Sequence, residues 1–182
     1  MLTYADLFSG TGEFRRGMDA AGLKCVYAHE MYQELREQYV KRFGEKPTIA
    51  DDALPSYKHD ILTCNLWSGN IGCICAFMDS IWFWKPEAFI LAADLSKEKH
   101  LGLLLKTEYR MHFWDVSWEG VIRYFIGFKD KNIDLPIEVR DSVPRYDLSP
   151  YLPAVMIREM GEIVKDAIIL KYKKALLKEE KC

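Results

Sequence analysis

A chain of 182 residues with 49% hydrophobic and 29% charged side chains has ordinary globular composition, which excludes a disordered, collagen-like or small disulfide-stapled protein. The formal charge of −2 and a pI near 6.1 lack the concentrated basic excess that gripping phosphate backbones requires, so nucleic acid is not expected as a partner of this chain alone. No run of 18 apolar residues and no basic leader precede or interrupt the pattern, which predicts a soluble, cytoplasmic protein without membrane contact. The five cysteines, Cys25, Cys64, Cys73, Cys75 and Cys182, are odd in number and irregularly spaced, as reduced thiols are. Cys73 and Cys75 lack the second cysteine pair of a zinc site.

In chain order, Tyr4–Phe8 is an apolar strand, and Ser9-Gly10-Thr11-Gly12 turns it into a helix over 13–21 that Gly22 stops. Residues 23–30 form a second strand ending in Glu30. A helix from Tyr32 to Phe43 follows, with Leu35, Tyr39 and Phe43 on one stripe. His59–Cys64 is a third strand, Ile71–Trp84 an unusually apolar helix closed by Pro86, and Ala88–Ala92 another buried strand. Ser96 caps a helix to Leu105, and residues 109–118 with 120–128 form a β-hairpin.

The stretch 130–151 is proline-punctuated and irregular. A long amphipathic helix then runs from Pro153 to about Lys178, with Met156, Met160, Ile163, Ala167, Leu170 and Leu177 in 4-3 spacing. This order predicts an α/β fold with a mostly parallel sheet, helices on both faces and a long C-terminal helix, in a single domain over 1–182. The apolar excess of Ile71–Trp84 and the stripe on the last helix are the expected surfaces for a protein partner or a homo-oligomer.

A strand, a tight glycine turn, a helix and an acid 18 residues past Gly12 form the layout that binds adenosine-containing ligands. Glycine turns by themselves are often plain turns; Glu30 at this distance is what favours a nucleoside. A dinucleotide fingerprint needs a third glycine at position 15. This chain has Arg15 there, which weakens pyrophosphate binding and leaves an NAD- or flavin-binding protein as the lesser alternative.

The residues Asp6-Leu7-Phe8-Ser9-Gly10-Thr11-Gly12-Glu13-Phe14 resemble the first motif of the cytosine-C5 DNA methyltransferases, D-L-F-x-G-x-G-G-F, and the similarity continues through Ala20-Ala21-Gly22 and Val26–Glu30. Ile49-Ala50-Asp51 resembles the family's G-D-I segment, and His59–Thr63 the strand before its catalytic loop. Pro86–Leu91 is similar to the strand before its catalytic Glu-Asn-Val, Tyr124–Phe128 to the strand after its Gln-x-Arg-x-Arg segment, and Met160–Val164 more weakly to its closing helix. The resemblance implies a Rossmann-like methyltransferase fold with S-adenosylmethionine or S-adenosylhomocysteine as ligand. Asp6 and the turn Phe8, Ser9, Gly10, Thr11 and Gly12 would hold the methionyl part, Glu30 the ribose, Met31 one adenine face and Asp51 the adenine amino group.

The chain departs from the family at its chemistry. Where the family has Pro-Cys-Gln, an ungapped alignment places Trp67 and Ser68, and a serine hydroxyl is a far weaker nucleophile than a thiolate. Cys64 reaches that position only if the loop slips by four residues. Ala92 stands at the catalytic Glu, with Asp94 displaced by about 7 Å along the strand at ~3.3 Å per residue. Only Arg123 remains of the arginine segment, and the short 128–150 stretch leaves no target-recognition domain. The expectation is a pared-down relative that binds the nucleoside without transferring methyl. The alternative is a methyltransferase acting on DNA or RNA cytosine and completed by a partner subunit. His29, beside Glu30, is expected at the surface.

Overall fold

A computed structural model describes residues 1–49, 58–66, 71–94, 109–118, 120–133, 135 and 154–179. Six strands form one sheet: β1 (Thr3–Leu7), β2 (Lys24–His29), β3 (Ile61–Leu66), β4 (Ala88–Asp94), β5 (Arg110–Trp118) and β6 (Gly120–Phe128), in the order β2-β1-β3-β4-β6-β5. The first four run parallel, and the β5–β6 hairpin adds to β4 through β6, antiparallel. The helices are α1 (Glu13–Ala20), α2 (Gln33–Phe43), α3 (Ile71–Trp84) and α4 (Ala154–Glu179). The expected helix at 96–105 and the proline-rich stretch lie outside the described residues, apart from its first few. Among the described residues no helix is long and apolar enough to cross a membrane.

Alternation along the strands divides the core into two layers. Tyr4, Ile61, Ile90, Ile126 and Phe128 face Phe14 and Met18 of α1 and Met156, Ile157, Met160 and Val164 of α4. On the other face Ala5, Leu62, Cys64, Phe89 and Leu91 meet Ile74, Phe77 and Ile81 of α3. Helices α1 and α4 cross closely. A Cβ on Gly17 would overlap Ile157, and one on Gly161 would lie 3.0 Å from Met18 Sδ and 3.1 Å from the Ala21 Cβ. The apolar stripe of the last helix is thus buried as far as Ile168 and Lys171 still pairs with Glu87, while Leu170, Leu176 and Leu177 are exposed.

From β1 the chain crosses outward to β2, then returns past β1 to β3 on its other side. The carboxyl ends of β1 and β3 therefore flank a topological switch point, where open parallel sheets bind their ligands. Both sequence-predicted ligand segments, the turn after β1 and Glu30 after β2, sit at this edge of the sheet.

Candidate nucleoside site

Three of the five turn residues have left-handed backbones: Phe8 (φ +51°), Gly10 (φ +56°) and Gly12 (φ +88°). Phe8 is the costly one, because a side chain in that region crowds its own carbonyl, and such strain persists where the surroundings enforce it. Its ring packs edge-on against His29 at 5.3 Å, and the Ser9 N–H donates to the His29 carbonyl at 2.9 Å. The expected surface position of His29 is corrected here: it is buried, because it forms the wall against which the turn folds.

Glu30, 3% exposed, ties the two loops together. Its Oε2 accepts from the Gly10 N–H at 2.7 Å and its Oε1 from the Tyr32 N–H at 2.9 Å. Each carboxylate oxygen has a second lone pair, so the clamp leaves acceptor capacity for a ligand's hydroxyls. A side chain built on Gly10 would meet nothing within 4 Å, so that side of the turn is open to a close approach. Gly12 is the opposite case: a Cβ there would overlap the ring of Phe43 from α2, which underpins the turn from behind.

The N-cap of α1 is Gly12, with no side-chain cap, so the helix end offers its N–H groups and the positive end of its dipole to the turn. Glu13 in the first turn is held by Arg42 at 2.7 Å and by Arg16 at 3.3 Å, and Arg42 also donates to the Thr11 carbonyl at 3.0 Å. Ser9 is buried, and its Oγ has no partner among the described residues. Met31 follows Glu30 with 43% exposure, and Arg36 donates to both of their carbonyls, at 2.9 and 2.5 Å. Glu30 in turn donates its own N–H to Thr48. The structure thus brings Phe8, Ser9, Gly10, Thr11, Gly12, Glu30 and Met31 together. Asp51 and Ser68 lie outside the described residues.

Beneath the turn, Asp6 is completely buried. Its Oδ1 accepts from the Thr63 hydroxyl at 2.8 Å, and its Oδ2 has no partner among the described residues. Burial pushes its carboxyl up to about 7; the Thr63 hydrogen bond and Arg15 oppose that rise, and Glu30 and Asp19 add to it. Arg15, at the position of the third dinucleotide glycine, is pinned by Glu45 at 2.6 Å, Asp19 at 3.2 Å and the Tyr39 hydroxyl at 3.1 Å, with the Phe43 ring 4.7 Å away. Cys64 lies inside β3, wholly buried in the α3 layer, and burial drives its thiol well above the ordinary thiol range. Ala92 is buried in β4, paired with Asn65 and Tyr124.

Sequence reasoning passed over Arg36, Arg42 and Thr63, which brace the site through carbonyls and a buried hydroxyl. A faint signal exists only for the arginines, both on the polar part of α2, the helix that follows Glu30.

Residues 2–68 match the family model of the C-5 cytosine-specific DNA methylases. That span covers β1 through β3 and every described residue of the nucleoside site. Over 66 residues the chain is 38% identical to the Type II methyltransferase M.HhaI of Haemophilus parahaemolyticus, a match spanning 34% of this chain and 20% of that protein. It is 35% identical to the Type II methyltransferase M.DsaV of Dactylococcopsis salina, across 34% of this chain and 18% of the other. The chain therefore spans about a fifth of the length of these curated relatives. The solved S. pombe Dnmt2 methyltransferase is similar in fold, with a TM-score of 0.64 at 14% identity over 76% of this chain and 53% of that one. The methylase-like segment ends just past β3, so the likeness beyond it is one of fold.

Proposed function

We propose that this chain is an S-adenosylmethionine-binding relative of the cytosine-5 DNA methyltransferases that holds the nucleoside but does not by itself transfer the methyl group, and so acts as a binding or regulatory module. The observation that carries this reading is the Glu30 clamp on Gly10, an acid fixed at the carboxyl edge of the sheet beside an open backbone. Its free lone pairs suit the two ribose hydroxyls. The uncapped end of α1 and the unpartnered Ser9 hydroxyl suit the methionyl carboxylate, and Met31 and Asp51 are the candidates for the adenine ring and its amino group. S-adenosylhomocysteine offers the same groups. Bound S-adenosylmethionine supplies an electrophilic methyl on sulfur.

Among the described residues, neither Cys64 nor Ala92 gives that methyl acceptor chemistry. Addition to cytosine C6 requires a thiolate, and Cys64 is sealed inside the sheet with its thiol held protonated. Ala92, at the position resembling the catalytic acid, can neither bond the base nor move a proton. The dinucleotide alternative is disfavoured by Arg15, whose guanidinium occupies the underside of α1 within an ion-pair cluster.

The test uses tritium-labelled S-adenosylmethionine with the full chain. Filters are expected to retain label with the protein, while duplex DNA and transfer RNA incubated alongside stay unlabelled. Label in either nucleic acid contradicts the absence of transfer, and no retention contradicts the binding.

A further inference from the structure

We propose that the outer face of α3 is the seam of a symmetric dimer, in which two copies of this chain meet helix against helix, antiparallel. The inner side of α3 seats Ile74, Phe77, Ser80 and Ile81 on the sheet. Its outer side carries Ile71, Trp82 and Phe83 at 67%, 75% and 60% exposure, together with exposed Gly72, Cys75, Ala76 and Asp79. An isolated exposed leucine needs no explanation, but a whole helix face of this kind does.

Charge and shape select the occupant. Asp79 is the single charge among the 14 residues of α3, so a nucleic acid or a strongly charged peptide finds almost nothing to pair with. A second copy brings no like-charge cost apart from the two aspartates. The face is also graded in size, with Gly72, Cys75 and Ala76 following Ile71 in its first half and aromatic residues in its second. An antiparallel copy centred on Phe77 sets Trp82 against Gly72, Phe83 against Ile71, Met78 against Ala76 and Asp79 against Cys75, so Trp82 and Met78 each meet a small residue while Phe83 and Ile71 meet each other. That is the self-complementarity an isologous two-fold contact demands, and it keeps the two Asp79 side chains out of register.

Area sets the strength. Trp82, Phe83 and Ile71 offer roughly 400 Å², about half of the ~800 Å² that a specific interface covers on each partner, which makes the contact a small one. The dimer should be of micromolar strength and form with concentration.

Sedimentation velocity on the full chain tests this. Between about 1 and about 200 µM the wild type should shift from monomer to dimer by mass action. Trp82→Glu should stay monomeric throughout with an unchanged circular dichroism spectrum, since Trp82 is three-quarters exposed. Register is tested by Asp79→Cys, which should give an oxidised dimer linked to Cys75 of the second copy by peptide mapping, absent when Cys75→Ser is added. A wild type that remains monomeric over the range overturns the proposal, as a dedicated different partner would also require. So does a Trp82→Glu variant that folds and dimerises as tightly as the wild type, or an oxidised Asp79→Cys dimer linked elsewhere.

Discussion

Glu30→Ala is expected to abolish S-adenosylmethionine binding and to lower stability by roughly 2–4 kcal/mol. Stability falls because the Gly10 and Tyr32 N–H groups lose a charged acceptor at a site that is 3% exposed, and each such orphaned donor costs about 1–3 kcal/mol. Binding falls for two reasons: the ribose loses its acceptor, and the turn loses the tie that fixes Gly10 beside it. Denaturant unfolding measures the first effect and calorimetric titration of the folded variant the second. Glu30→Gln separates them, since its carbonyl can still accept from one of the two amides while its NH₂ opposes the other, giving an intermediate stability. A Glu30→Ala variant that binds as the wild type does would place the ribose elsewhere.

Asp6 gives the second large effect, and it depends on pH. Its carboxyl is pushed up to about 7 in the folded chain, first by burial, with Glu30 and Asp19 reinforcing and the Thr63 hydroxyl and Arg15 opposing; the half-buried Cys25 thiol and the buried Tyr39 hydroxyl lie in the same electrostatic neighbourhood. Unfolded, the same carboxyl titrates near pH 4. Between these values the folded state keeps a proton that the unfolded state has released, so stability falls as pH rises from about 4 to about 7 and levels off above that. The fall attributable to this one group is on the order of 4 kcal/mol. Asp6→Asn keeps an acceptor for Thr63 and removes the charge. Denaturant midpoints across that range should therefore decline for the wild type relative to the variant, leaving the variant the more stable at neutral pH. Parallel pH profiles for the two would show that Asp6 is not buried as described.

Much of this architecture is legible in the letters, for physical reasons. Period-2 and period-3.6 apolar patterns delimit β1, α1, β2, α2, α3 and α4 to within a few residues, because burial on one side forces those periods. The turn is legible because a sharp reversal ahead of a helix needs glycines such as Gly10 and Gly12. Other features are set by tertiary contacts that leave no local trace. Nothing near His29 announces that it is buried behind Phe8, and nothing near Glu30 announces that its carboxylate is shared with the Gly10 amide. A hairpin is readable from its two apolar runs, yet its antiparallel docking on β4 through β6 is decided by which strand finds the open sheet edge. The aromatic excess of α3 is visible in sequence, whereas its division between buried Phe77 and exposed Trp82 and Phe83 requires the packed helix.

The central claim is that the turn after β1, clamped by Glu30, takes an adenosyl sulfonium compound rather than a dinucleotide. Melting the full chain with S-adenosylmethionine, S-adenosylhomocysteine and NAD in parallel addresses it directly. A ligand at 100 times its dissociation constant stabilises the fold by about 2.7 kcal/mol, or roughly 5–10 °C for a chain of this size. The first two compounds should each raise the midpoint by that much and NAD should leave it unchanged. A rise with NAD alone, or none with any of the three, would contradict the account.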